Sequence, residues 1–554
     1  MDLTSRFIPF LLLLLCVLVS ITYCGEIKLT PVIPTTYGPI QGSIEVYKEV
    51  KVFQYKGVPY AKPPIGPERF RRPSPPDRWT ETLQTTEYGK SCIQNQQGGS
   101  AVAPEDSDED CLFLNVFTTQ ASYQEREVKK RSVLFWIHGG AFLGGSSTER
   151  DAFNPIPLVP LHDVILVTIN YRLNVFGFLL PGEAVPEIHG NMGMWDQNFA
   201  LRWVHDNIGN FGGDPRQVTI FGESAGSISV GLHLISPMSK HFFKRAIMES
   251  GAPWPVASNA REAVINSSLN VIDKVGCSGK ENPFKCLQDL DASEFLLTKF
   301  PPLHLEMKPI FGDEFLPKTP EEAFKDKTFN KGKNVLVGSE QNDGSLFLGI
   351  FNASFIDPKA QLSYADGVNG LKAITGGKNL GFFVKNYLGN SKDISTKRVR
   401  SALIKALGDV LFTCPTYAFG HSLANLSQSE NQVFGYMHTQ KPKKSMIGIC
   451  NIDRSLGPCH TDEIPYVFGE PFRKPKEFTK ADFLLSMNMM KIWIDFARTG
   501  EPPQQGPVQW PKFSHKDGKT HIMELNDRFI GKLITNRPSF CIDHWHIFST
   551  IPML

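Results

Sequence analysis

Gly222-Glu223-Ser224-Ala225-Gly226 places a serine between two glycines, directly after the apolar, β-branched run Val218-Thr-Ile-Phe221 and before a helical pattern. A G-x-S-x-G match alone is a weak signal, but one framed by a strand and a helix is strong. The sharp strand-to-helix turn holds the serine in a strained conformation, and side chains at the two glycine positions would collide with neighbouring elements. The hydroxyl is then exposed at a helix N-terminus, where free N–H groups favour developing negative charge. A second glycine pair, in His138-Gly139-Gly140-Ala141-Phe142, follows the apolar run that ends at Ile137. The amides of Gly139, Gly140 and Ala225 are expected to form an oxyanion hole for a tetrahedral intermediate. A phosphate-loop reading fails because no G-x-x-x-x-G-K-[ST] pattern occurs.

The elements that must carry these residues alternate between short β-branched runs and longer helical patterns, which indicates a mainly parallel sheet with covering helices. Ser132–Ile137, Val164–Ile169, Val218–Phe221 and Lys333–Val337 are predicted as buried strands. Helices are predicted over Asp196–Ile208, from Phe199, Ala200, Trp203, Val204 and Ile208, and over Ala481–Arg498, from Leu484, Met487, Ile492, Trp493 and Phe496. Gly500 follows the second as a stop signal. No repeat, low-complexity tract or linker divides the chain, so residues 25–554 are expected to form a single α/β domain. With 58 basic against 56 acidic residues and no long like-charge block, nothing suggests a nucleic-acid partner or an anionic membrane surface.

Residues 1–24 have the form of a signal peptide: Arg6, then an apolar core from Phe7 to Val19, then a cleavage site near Cys24/Gly25. The core is shorter than the roughly 20 residues that span a bilayer, so export is expected without stable membrane insertion. Loss of Cys16 and Cys24 leaves eight of the ten cysteines, an even number suited to disulfides in an oxidising compartment. Cys92 with Cys111 and Cys277 with Cys286 are local pairs; Cys450 and Cys459 either close a short loop or stay free. Sequons at Asn266, Asn352 and Asn425 fit a secreted, extracellular glycoprotein.

Taken together, several segments resemble the type-B carboxylesterases, the cholinesterase-like family of α/β-hydrolases, across essentially the whole mature chain. They are Tyr55-Lys-Gly-Val-Pro-Tyr-Ala-Lys-Pro-Pro-Ile-Gly66, Glu109-Asp-Cys-Leu-Phe-Leu-Asn-Val116, Gly190-Asn-Met-Gly-Met-Trp-Asp-Gln197, Asn210-Phe-Gly-Gly-Asp-Pro215 and Phe221-Gly-Glu-Ser-Ala-Gly226. The resemblance implies an α/β-hydrolase fold, a large mostly parallel sheet flanked by helices, and a triad in the order Ser, acid, His. The histidine falls at His460, within Gly457-Pro-Cys-His460-Thr-Asp-Glu-Ile-Pro, and the acid at Asp343, within Gly338-Ser-Glu-Gln-Asn-Asp343-Gly-Ser345. Many relatives carry Glu at that position, and Glu340, three residues earlier, is the competing carboxylate; Asp462 and Glu463 suit a structural role better. The resemblance also implies a Cys414–Cys541 disulfide and buried ion pairs joining Glu109 to Arg69 and Arg172 to Asp196. Glu223 and Ser250 read equally as support for the site and as packing.

The expected reaction is hydrolysis of a small-molecule carboxylic ester through an acyl-serine, with no organic cofactor and no metal. The Cys414–Cys541 pair resembles cholinesterases. Those relatives, however, carry a choline-binding Trp in the loop of the first disulfide, and no Trp lies between Cys92 and Cys111. Cation–π recognition of quaternary ammonium is strongest on Trp, so a general carboxylesterase is favoured over a cholinesterase. A juvenile-hormone-esterase-like activity is a further alternative, though such relatives usually have Gln where this chain has Glu223. A non-catalytic, neuroligin-type adhesion protein keeps the fold but loses the triad, whereas here serine, glycines and histidine are all present. The sequence leaves the natural ester and the oligomeric state open.

Overall fold

The computed structural model describes residues 27–94, 102–148, 153–254, 260–296, 306–427, 430–452, 456–528 and 531–551. The expected signal segment, 1–24, lies outside them. In chain order the strands of the main sheet are β1 (Ser43–Tyr47), β2 (Val50–Pro59), β3 (Phe113–Thr119), β4 (Arg131–Ile137), β5 (Ile165–Ile169), β6 (Gly213–Glu223), β7 (Arg245–Glu249), β8 (Asn334–Glu340), β9 (Val433–His438), β10 (Ile522–Leu525) and β11 (Leu533–Ile534). They form one 11-stranded sheet in the order β11-β10-β9-β8-β7-β6-β4-β5-β3-β2-β1. From β5 across to β10 all neighbours pair in parallel, and antiparallel strands close both edges.

Strands of a parallel sheet are apolar along their whole length because helices cover both faces. β4 and β5 show this. Val133, Phe135, Ile137, Ile165, Val167 and Ile169 join one core cluster, while Leu134, Trp136 and Leu166 join another, as the two-residue side-chain period requires. All four predicted strands form. The third extends from Gly213 to Glu223, with a register shift against β4 between Gly213 and Val218.

Helix α1 (Met192–Asn207) begins before the predicted Asp196. Its first residues, Met192, Gly193 and Met194, are buried, so the first turn carries no amphipathic signal. Helix α2 (Ala225–Ile235) is buried throughout. The predicted late helix forms as α7 (Lys480–Thr499), stopped by Gly500 at φ 84°. Its buried stripe is displaced from the predicted one: Leu485, Met489 and Met490 face the core with Ile492, Trp493 and Phe496, whereas Leu484 and Met487 are 40% and 49% exposed. Four further helices bear on the site: α3 (Gly344–Phe351), α4 (Thr396–Gly408), α5 (Cys414–Leu426) and α6 (Ile464–Phe468), with α8 (Asn536–Asp543) near the C-terminus.

Among the described residues four disulfides are present: Cys92–Cys111, Cys277–Cys286, Cys414–Cys541 and Cys450–Cys459. The last closes the loop before His460. Both buried ion pairs form. Arg69 grips Glu109 with Nε and Nη2, each at 2.6 Å, and Arg172 holds Asp196 through Nε and Nη2, each at 2.7 Å. Among the described residues no helix is long and apolar enough to cross a membrane.

Candidate active site

β6 ends at Glu223, α2 begins at Ala225, and Ser224 between them has φ 57° and ψ −123°. A positive φ at a non-glycine residue is strained and persists only where the surroundings over-determine it. Here the surroundings are the end of β4. A Cβ on Gly226 would lie 2.0 Å from the Ile137 carbonyl oxygen, and one on Gly222 would lie 2.5 Å from the same atom. The two glycines therefore let the turn lie against the strand that launches His138-Gly139-Gly140. A Cβ on Gly139 would stand 3.0 Å from the Ser224 Cβ, which puts the glycine pair beside the serine. Ser224 N donates to Glu249 O at 2.9 Å and Ser224 O accepts from Ile228 N at 2.9 Å, fixing the turn from both sides.

Asp343 lies in the short turn between β8, which ends at Glu340, and α3, which begins at Gly344, and is fully buried. Its Oδ1 accepts from His460 Nδ1 at 2.9 Å, although 117 residues separate the two in sequence. Its Oδ2 accepts from Ser250 Oγ and from Glu340 N, each at 3.0 Å. A short aspartate reaches the imidazole because its loop sits deep: a Cβ on Gly344 would lie 2.2 Å from Ile404 O of α4. Ser250, read from the sequence as either support or packing, holds the Asp343 carboxylate.

The competing carboxylate points elsewhere. Glu340 places its two oxygens 2.8 and 2.7 Å from Nδ1 of His438. Both side chains are fully buried, and burial pushes the Glu340 carboxyl well above its usual range while holding His438 down to about 4. Glu463 is pushed well above the usual range by burial and by the neighbouring Glu340. Asp462 is raised by burial to about 6, and its Oδ2 accepts from Cys459 N at 2.7 Å. Glu249 is raised by burial to about 8, and its Oε1 accepts from Trp493 Nε1 at 3.0 Å.

Glu223 Oε1 stands 3.1 Å from His460 Nε2. With Nδ1–H on Asp343, Nε2 is the nitrogen that carries the lone pair, the tautomer a general base needs. His138 stacks on Tyr171 with ring centroids 4.4 Å apart, and burial lowers it to about 4. Two groups at the site carry no sequence signal: the rings of Phe347 and Phe412, both packed on His460. Among the described residues, Asp409, Cys414 and Cys541 lie close enough to share a metal ion, but both sulfurs belong to a disulfide and offer no thiolate.

The three sequon asparagines are exposed. Asn266 lies on the helix Ala260–Lys274, Asn352 caps a short 3₁₀ turn by accepting from Ser354 N at 3.0 Å, and Asn425 lies in the last turn of α5.

The family model for the carboxylesterase family matches residues 29–540. Acetylcholinesterase-1 of Trittame loki is 32% identical over 550 residues, 94% of this chain and 95% of the relative. Acetylcholinesterase of Bungarus fasciatus is 32% identical over 561 residues, covering 96% and 88%. Cholinesterase of Mus musculus is 34% identical over 520 residues, covering 88% and 82%. With an α/β-hydrolase sheet, a serine on a strained strand-to-helix turn and this whole-chain similarity, the chain belongs to the carboxylesterase family and is a carboxylic ester hydrolase.

Proposed function

We propose that the protein is a secreted serine esterase whose triad is Ser224, His460 and Asp343. The observation that carries this reading is the 2.9 Å Asp343–His460 hydrogen bond, made on loops that converge at the carboxyl ends of β6 and β8. In acylation, Ser224 Oγ attacks the ester carbonyl carbon and His460 Nε2 takes the hydroxyl proton. The carbonyl oxygen gains charge and accepts from the amides of Gly139, Gly140 and Ala225. Collapse breaks the carbon–alkoxy bond, and the imidazolium returns its proton to the departing alcohol. Water then attacks the acyl-serine by the same route, releasing the acid and restoring the hydroxyl. Asp343 holds the imidazole by Nδ1 and stabilises the imidazolium.

Two of the similar proteins are named acetylcholinesterases and one cholinesterase. The first disulfide loop of this chain, Cys92–Cys111, contains no Trp, so we favour simple aliphatic or aryl esters as substrates over choline esters. The four disulfides and three exposed sequons support export and glycosylation at Asn266, Asn352 and Asn425. Ser224→Ala should abolish ester turnover and covalent labelling by an organophosphate while secretion is retained. Stoichiometric labelling of the alanine variant would overturn the assignment.

A further inference from the structure

We propose that Phe412 is a positioning residue of the esterase reaction, its ring face backing the His460 imidazole and stabilising the imidazolium that forms during acylation. The inference rests on the triad reading given above. The ring centroids of Phe412 and His460 are 4.3 Å apart at an interplanar angle of 30°. That distance is well inside the roughly 6 Å at which an aromatic face attracts a cation. Phe412 is only 6% exposed and His460 2%, so water screens the attraction little. Phe347 meets His460 edge-on at 5.3 Å and packs on Phe412 at 5.0 Å, which prevents the Phe412 ring from sliding off the imidazole.

The backbone aims this ring. Phe412 lies in a π-helical turn, Asp409–Thr413, between α4 and α5. Such turns insert a residue into a helix and are frequent at functional sites; one residue rotates the following side chains by about 100°. The turn is pinned at its first residue. Asp409 Oδ1 accepts from Arg537 Nε at 2.8 Å, and its Oδ2 accepts from Tyr387 Oη at 2.8 Å. Arg537 lies on α8, which the Cys414–Cys541 disulfide ties to α5. Gly408, just before the turn, approaches so closely that a Cβ there would sit 2.9 Å from Gly344 N, beside the acid. The acid loop and the aromatic face are thus seated against each other.

Two carboxylates face the imidazole: Asp343, beyond the end of β8, at Nδ1, and Glu223, from the serine turn, at Nε2. Glu340 at the end of β8, His438 on β9 and Glu463 in the histidine's own segment act on Asp343, and through Glu340 and Glu463 the network extends to Asp462 and to Glu249 on β7. A change confined to Phe412 leaves all of them in place. Phe412→Leu keeps the site apolar but removes the ring's negative face. The imidazolium is then less favoured, so the acid limb of the kcat/KM–pH profile should move down by about one pH unit. The plateau should fall about tenfold with it. A side chain that only filled space would lower the plateau without moving the limb.

The test uses the secreted full chain with a p-nitrophenyl ester, all rates being expressed per organophosphate-titrated site. Phe412→Tyr should restore the wild-type limb. Replacing Phe412 by 3,4,5-trifluorophenylalanine keeps the shape, removes the negative face and should move the limb as leucine does; it serves if the leucine variant fails to fold. A limb that stays in place, or rises, in the leucine or trifluoro variant overturns the proposal. Ser224→Ala run in parallel separates the two readings: its labelling would overturn the triad itself, whereas a normal wild-type titre with an unmoved limb overturns only the role of Phe412.

Discussion

Asp343→Asn is the substitution whose outcome the geometry specifies most closely. The two oxygens of Asp343 have different obligations. Oδ2 accepts from two donors, Ser250 Oγ and the Glu340 N–H, while Oδ1 faces His460 Nδ1. An asparagine must keep its carbonyl oxygen at the first position, because an NH₂ there would meet the Glu340 N–H donor against donor. Its NH₂ therefore turns to His460 Nδ1, which must become the acceptor, and the ring proton moves to Nε2. That tautomer cannot take a proton from Ser224. The loss expected for such a tautomer switch is about 10⁴ in kcat, equivalent to about 5.4 kcal/mol of transition-state stabilisation. The assay is steady-state hydrolysis of a p-nitrophenyl ester per active site, with circular dichroism to confirm folding. Glu340→Gln should stay within tenfold of wild type, since Glu340 engages His438 instead. Asp343→Glu should retain measurable turnover. Asp343→Asn near full activity together with a collapse in Glu340→Gln would show the acid to be Glu340.

Asp196→Asn should destabilise the fold by about 3–5 kcal/mol, because it leaves the buried Arg172 guanidinium without its countercharge; urea denaturation measures this. Glu249 gives a pH dependence of stability. Its folded carboxyl is raised to about 8 from an ordinary value of 4.5, so the folded state holds a proton that the unfolded state has lost. Stability from this group is present below about 4.5 and declines as pH rises through 8. Glu249→Gln keeps an acceptor for Trp493 Nε1 and should flatten the fall in melting temperature over that window. Choline esters should be turned over with a lower kcat/KM than matched aliphatic esters, by roughly thirtyfold if the missing Trp contact is worth about 2 kcal/mol; a choline ester with the highest kcat/KM of a panel would refute this.

Residues marked by a short motif were legible in the chain itself. The G-x-S-x-G spacing of Gly222, Ser224 and Gly226 is readable within five residues, although the carbonyl that leaves no room for a Cβ at either glycine, that of Ile137, belongs to the neighbouring strand β4. The strand and helix patterns are equally local, since they record a periodicity of exposure. Where exposure itself vanished, the pattern failed: the first turn of α1 is buried and left no amphipathic trace, and on α7 the buried stripe is displaced from the one read. Motif likeness marked both Asp343 and His460 but left Glu340 in contention. Only the packing of β8, β9 and α4 turns Glu340 toward His438 and seats Asp343 against His460, the geometry on which the proposed acid rests. Phe412 gave no signal at all, because an apolar residue between two helices looks like core until the π turn aims it at the imidazole. The physical reason is the range of the interactions. Motif spacing and periodicity are carried by residues close in sequence, whereas steric contacts, hydrogen-bond partners and ring contacts depend on which distant elements the tertiary fold brings within a few ångströms.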